Sequence, residues 1–284
     1  MNIILPFILN DGLLRGRYVK LSSLMNDILC HRRHPQLIER ILAEAVTIGL
    51  MLSSFLKYDG LFTLQIQGQG PVTLLVVDIT GDGSIRTSVR YDEALLPKQA
   101  ASLQEIFGSG VLVFTVDQAV QKEERYQGIV ELSGSSLAEA VERYFQASEQ
   151  ILTHLILFSK ELDGSIQTGG LIVQMMPSDK GAVEQRSDAF ETACVLADSL
   201  RKAEFFDENL SAEKVLFRLY HADHLLLFPA KSVRFACRCS SEKVKKMLRG
   251  FSSQELEDMY QNGEIRVDCQ FCGKTYCFKK GEWE

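Results

Sequence analysis

Leu61-Phe62-Thr63-Leu64-Gln65-Ile66-Gln67 runs through Gly68-Gln69-Gly70-Pro71 into Val72-Thr73-Leu74-Leu75-Val76-Val77-Asp78-Ile79. The first part alternates apolar and polar side chains, the period of a strand with one buried face. The last part is a β-branched apolar run, and the glycine-rich segment between them can reverse the chain. The stretch therefore predicts a β-hairpin. Gly68-x-Gly70 reads as its turn rather than as a phosphate-binding loop, because it joins two strands and opens no helix.

Upstream, Pro35 stands at a first-turn position. Leu37, Ile38, Ile41, Leu42, Ala45, Val46, Ile48, Gly49 and Leu52 then recur at three and four residues, the stripe of an amphipathic helix. Downstream, Gly81-Asp82-Gly83 precedes a strand-like Ile85–Tyr91, and further strands are expected at Val111–Val116, Gly128–Leu132, Leu155–Phe158 and Leu171–Met175. Between them Leu137 to Ser148 has helical spacing through Val141, Tyr144 and Phe145. This pattern predicts an α+β protein, with a mixed α/β domain on an antiparallel or mixed sheet over residues 1–177, closed by Pro177.

Residues 178–232 read as a helical linker. Phe190, Ala193, Cys194, Ala197 and Leu200 share one helical face, and after an N-cap at Ser211, Val215, Leu216 and Leu219 share another. These narrow apolar stripes need a surface to cover them, and the sheet of the first domain is the expected one. Residues 233–284 form a small C-terminal domain that holds five of the seven cysteines.

The chain has 284 residues, 46% of them apolar and 24% charged, enough for a sizeable core without disulfides. It has no run of eighteen or more apolar residues, so no transmembrane segment is expected. Met1-Asn2-Ile3-Ile4-Leu5-Pro6 lacks the basic leader and cleavage site of a signal peptide, so a cytoplasmic location is expected. In that compartment thiols stay reduced, and seven cysteines point to metal or redox chemistry rather than to a structural disulfide framework. The net charge of −6 argues against a nucleic-acid partner.

Cys237-Arg238-Cys239 and Cys269-Gln270-Phe271-Cys272 are two close thiol pairs separated by 29 residues. Two such pairs can converge on one tetrahedral centre, the closed four-thiolate shell that zinc prefers in structural sites. The spacer is longer than in a zinc ribbon, and C-x-C replaces the usual C-x-x-C, which suits a reactive site. Between the pairs, Ser240 or Ser241 can cap one helix, and a second helical piece spans Ser253–Tyr260. Gly273-Lys274 then turns into Thr275–Phe278. A purely structural zinc module remains open from these residues alone.

Cys237-Arg-Cys-Ser-Ser-Glu-Lys-Val244 followed by Cys269-Gln-Phe-Cys-Gly-Lys-Thr-Tyr276 resembles the C-terminal switch of the heat shock protein 33 family, the redox-regulated 33 kDa chaperonins. Arg15-Gly16-Arg17, Gly68-Gln69-Gly70-Pro71, Tyr144-Phe145 with Ser148-Glu149-Gln150, and Gly169-Gly170-Leu171-Ile172-Val173-Gln174 extend the resemblance over the whole chain, in order. It implies an ATP-independent holdase, not an enzyme, with one zinc per reduced chain on Cys237, Cys239, Cys269 and Cys272. It further implies that oxidation joins Cys237 to Cys239 and Cys269 to Cys272, expels zinc, unfolds the linker and favours a homodimer that binds unfolding client proteins, with no nucleotide and no membrane involved. Cys277 is a departure from the family's switch and leaves a Cys272–Cys277 bond open.

Two rivals belong to other classes. One is a zinc-ribbon module for nucleic acid or protein interaction, marked by salt-dependent binding. The other is a thiol–disulfide oxidoreductase using Cys269-x-x-Cys272, marked by turnover. His31 with His34 and His221 with His224 have metal-compatible i, i+3 spacing but no cysteine or carboxylate companions nearby, and read as solvated helix ends. Cys30 and Cys194 read as buried small hydrophobes. Neither Ser148 nor His154 completes a catalytic triad.

Overall fold

The computed structural model of the chain describes residues 1–30, 32–98, 102–118, 126–162, 164–177 and 183–282. Its strands are β1 (Asn2–Leu9), β2 (Leu14–Leu21), β3 (Gly60–Gly68), β4 (Val72–Thr80), β5 (Ser84–Tyr91), β6 (Gly110–Gln118), β7 (Tyr126–Glu131), β8 (Thr153–Leu162), β9 (Ser165–Met175), β10 (Leu226–Leu227), β11 (Lys231–Ser232), β12 (Arg234–Phe235), β13 (Glu264–Asp268) and β14 (Thr275–Lys279). The helices are α1 (Leu24–Leu29), α2 (Gln36–Ser53), α3 (Leu103–Phe107), α4 (Leu137–Tyr144), α5 (Val183–Asp198), α6 (Lys202–Phe205), α7 (Ala212–Tyr220), α8 (Ser241–Leu248) and α9 (Ser253–Met259).

The hairpin read at residues 61–79 is β3–β4, and it sits at the centre of a sheet ordered β12-β5-β4-β3-β6-β7. Its strands pair antiparallel except for β12, which runs parallel to β5. Gly70 is required at the turn because a Cβ there would lie 2.5 Å from the backbone nitrogen of Gly108. A second sheet has the order β10-β1-β2-β9-β8, with β11 also on β1, and is antiparallel throughout.

Helix α2 lies between the two sheets. It is covered on nearly every side, including Ala43, Thr47 and Ser53, which a one-stripe reading leaves exposed. Thr47 tolerates this because its hydroxyl donates to the Ala43 carbonyl at 2.8 Å and lies 3.1 Å from the Thr168 hydroxyl. The second sheet is buried on both faces. Ile4, Val19 and Ile172 face α2 in the main core, whereas Leu5, Phe7, Tyr18 and Val173 face a second core completed by α5, α6 and α7. The near-continuous apolar run of β1, not assigned to a strand from sequence, follows from this two-faced burial.

Phe190, Ala193, Ala197, Leu200, Val215, Leu216 and Leu219 all enter that second core, so the two helical stripes are covered by the second sheet. Ser211 caps α7, accepting from the Lys214 N–H at 3.3 Å. His154 on β8 tethers α5 from below, with one ring nitrogen 2.8 Å from the Asp198 carboxylate and the other 3.3 Å from Glu142. The Glu142 hydrogen bond, opposed by burial and helped by Asp198, raises the His154 pKa. The share of that rise owed to Asp198 means that docking of α5 stabilises the protonated form, so this contribution is full below the ordinary pKa near 6.5 and is lost as pH rises through the raised one. Because Asp198 is largely exposed, the effect is worth no more than about 1 kcal/mol. Protection of the α5 amides, corrected for base-catalysed intrinsic exchange, is therefore expected to fall modestly as pH rises from about 6 to 8. A His154→Gln variant with the same pH dependence in α5 would rule this tether out.

Candidate metal centre

Four local devices bring the cysteines together. β12 delivers Cys237 from the edge of the first sheet. Ser240, immediately after Cys239, caps α8 by accepting from the Lys243 N–H at 3.2 Å, and Ser252 caps α9 in a capping box with Glu255. β13 ends at Asp268, and a tight turn follows in which Cys269 accepts from the Gly273 N–H at 2.8 Å and donates to the Lys274 carbonyl at 2.9 Å. Gly273 has φ +69°, a conformation that suits glycine. β14 pairs back on β13 and carries Tyr276 to the thiols.

The four sulfurs of Cys237, Cys239, Cys269 and Cys272 all lie within 4.8 Å of one another, with Cys237 to Cys269 at 3.7 Å and Cys239 to Cys272 at 3.5 Å. A tetrahedron with zinc–sulfur bonds of about 2.3 Å has sulfur–sulfur edges of about 3.8 Å. The thiol cluster thus fits a four-thiolate ion of that size. The hydroxyl of Tyr276 donates to the Cys239 sulfur at 3.1 Å, a partner of the kind that orients metal ligands.

The thiols are not equivalent. At Cys239 burial works against ionisation, but hydrogen bonds from Tyr276 and the neighbouring thiols outweigh it and bring the pKa down to about 7. Burial raises Cys237, and it raises Cys272, the most enclosed of the four, well above the ordinary thiol range. A cation would remove the mutual repulsion that keeps them from ionising together. The module around them has a very small core, Leu248, Ile265, Tyr276 and Phe278, among the described residues.

Two contacts that sequence reading did not single out join the cysteine loops to the first sheet. Arg238, between Cys237 and Cys239, donates to Asp78 on β4 at 2.9 Å. Arg86 on β5 also pairs with Asp78, at 2.6 Å, and its guanidinium lies over the ring of Phe271, between Cys269 and Cys272, at 3.8 Å. Thr63 completes the node, donating to Asp78 at 2.8 Å. The one signal available was Asp78 itself, a lone charge inside an apolar run.

Cys277 is exposed while Tyr276 and Phe278 are buried, as strand alternation predicts. Cys30 is a correction: it is exposed rather than buried, because it ends α1 past the residues that pack. Cys194 is half-buried, and burial pushes its thiol up to about 12. His34 is half-buried rather than solvated, 3.1 Å from the Tyr91 hydroxyl, and burial with Arg32 lowers its pKa to about 4. His31 lies outside the described residues. His221 is exposed, and His224 faces Asp11 at the surface.

Comparison with known proteins agrees across the whole chain. The family model described as Hsp33 protein matches residues 2–279. The 33 kDa chaperonin of Aliivibrio salmonicida is 34% identical over 98% of this chain and 92% of its own length. That of Haemophilus influenzae is 35% identical over 94% of this chain and 88% of its own. The crystal structure of the 33 kDa chaperonin from Thermotoga maritima superposes with a TM-score of 0.84 at 22% identity, covering 99% of this chain and 96% of that one, and so shares its fold.

Proposed function

Because this chain belongs to the Hsp33 family, we propose that it is a redox-regulated, ATP-independent holdase chaperone whose switch is a zinc ion on Cys237, Cys239, Cys269 and Cys272. The observation that carries this reading is the convergence of four thiols, from two distant loops, at the spacing of a zinc tetrahedron. Reduced and zinc-bound, the module folds and the linker helices stay docked on the second sheet. Oxidant attacks a thiolate, a neighbouring thiol resolves the sulfenic acid with loss of water, and the resulting disulfide no longer ligates zinc. Pairing within each motif, Cys237 with Cys239 and Cys269 with Cys272, is proposed, and a dithiol reductant reverses it.

Zinc loss then melts the module, the linker undocks, and the apolar surfaces of α5–α7 and of the sheet beneath become available to unfolding clients, with a homodimer as the active form. We divide the chain accordingly into a client-binding and dimerisation domain (1–177), a linker (178–232) and a zinc switch (233–284), acting in the cytoplasm without nucleotide. The test is zinc content and suppression of client aggregation, measured before and after oxidation. One zinc per reduced chain, lost as holding activity rises, supports the reading; holding activity that does not change while zinc is lost overturns it.

Cys277 is assigned no part in the switch. Cys277→Ser is expected to keep full zinc content and full activation, and peptide mapping of the oxidised parent is expected to find Cys269 joined to Cys272. A dominant Cys272–Cys277 disulfide would refute that assignment.

A further inference from the structure

β5 is an edge strand, and the metal module occupies its free side. β12 holds only the first two positions, in the register Arg234↔Ser84 and Phe235↔Ile85. The Arg234 N–H donates to the Gly83 carbonyl at 3.1 Å, and the Ala236 N–H to the Ile85 carbonyl at 2.9 Å. In an extended strand the N–H and C=O of one residue point the same way and alternate along the chain. Since Ile85 faces β12, the backbone groups of Thr87 and Val89 point to that same side. Among the described residues no backbone partner meets them. Thr87 and Val89 instead line a small cleft together with Gln270 and Phe271 of the metal module and with Ile28 and Leu29 of α1.

We propose that β12 and the metal module are an internal cap on this strand edge, and that the uncapped edge, Ile85 to Tyr91, receives extended client segments as an added strand. The proposal rests on the switched-holdase reading and names where a client engages. β12 is its own template for the occupant. Val233 and Phe235 turn into the main core while Arg234 turns out to Asp82 at 2.5 Å, so the seated segment is extended with apolar residues at alternate positions. Main-chain hydrogen bonds at a strand edge recognise a peptide without demanding a sequence, as a protein that binds many unfolding chains requires.

The cap is built to leave. A two-residue strand is too short to hold by itself. The Arg238–Asp78 bond can break without stranding a buried charge, because Asp78 keeps Arg86 and Thr63. Phe271 lifts off Arg86 with the same loop. What keeps these weak contacts closed is the fold of the module, and that depends on the thiol centre.

The test is residue-resolved amide exchange in the full chain, oxidised, with and without a thermally unfolded test protein bound. The edge-facing amides of Thr87 and Val89 are expected to slow at least about tenfold on binding, whereas those of Ser88 and Arg90, which face β4, stay unchanged. Client held with Thr87 and Val89 exchanging as before overturns the edge site and leaves the switch intact. An oxidised parent that loses zinc yet holds no client overturns the switched-holdase reading itself. Val89→Pro removes an edge-facing N–H without touching a thiol or a β4 bond. It is expected to release zinc normally and lose holding capacity several-fold; if it does not fold, the exchange measurement on the parent decides alone.

Discussion

Replacing Cys272 by Ser is expected to strip zinc from the reduced protein and to unfold residues 237–282 while both large sheets stay folded. Cys272 is the most enclosed of the four thiols, and its loss removes one corner of the tetrahedron. Zinc supplies roughly 10–16 kcal/mol of apparent folding energy to small modules at neutral pH. A module with so small a core has little else to hold it, since domains of this size are marginal even when well packed. Loss of a direct ligand should weaken zinc by more than the roughly 10–100-fold that follows loss of an outer partner. Zinc retention against a chelator and amide protection in α8, α9, β13 and β14 measure the outcome. Full zinc content and full protection in the Cys272→Ser chain would remove Cys272 from the proposed ligand set.

Ala197→Asp is expected to hold clients without any oxidant while keeping its zinc, through the face of the second sheet that α5 uncovers and less fully than the oxidised parent, because the β5 edge stays capped while the metal module is folded. Ala197 is only 1% exposed, on the face of α5 that meets the second sheet, among the apolar side chains of the second core. An unpaired buried charge costs at least several kcal/mol unless the helix leaves or the group protonates. Docking of the stripe is worth a comparable amount, at about 1.5–3 kcal/mol for each large apolar side chain buried. The second sheet survives undocking because its other face remains packed against α2. The measurement is aggregation suppression by the reduced, zinc-loaded variant. A folded variant as inactive as the reduced parent would show that linker docking is not the lock.

The two experiments separate the halves of the proposed switch. The cysteine variant breaks the sensor and should activate through loss of metal. The alanine variant bypasses the sensor and should activate with metal in place. Together with the edge-strand test they trace one route, from thiols to module, from module to β12, and from the linker to the apolar surface it covers.

Much of this was legible locally. Alternation and the Gly68-Gln69-Gly70 turn define the β3–β4 hairpin, three-and-four spacing defines α2, and serine caps mark the starts of α7, α8 and α9, because each depends on residues a few positions apart. The close spacing within each cysteine pair likewise singles out the four thiols that meet. Other features were not legible, for one physical reason: they arise where segments far apart in the chain touch. β1 has no clean period because both of its faces are buried, one by α2 and one by helices nearly two hundred residues later. Nothing local in Arg234-Phe235 announces a parallel partner at Ser84-Ile85, since a two-residue strand exists only where an edge is offered. Asp78, Arg86, Arg238 and Phe271 read singly as one buried charge, two cations and an aromatic ring. Their meeting depends on where the metal module sits against the first sheet, and only the tertiary structure decides that.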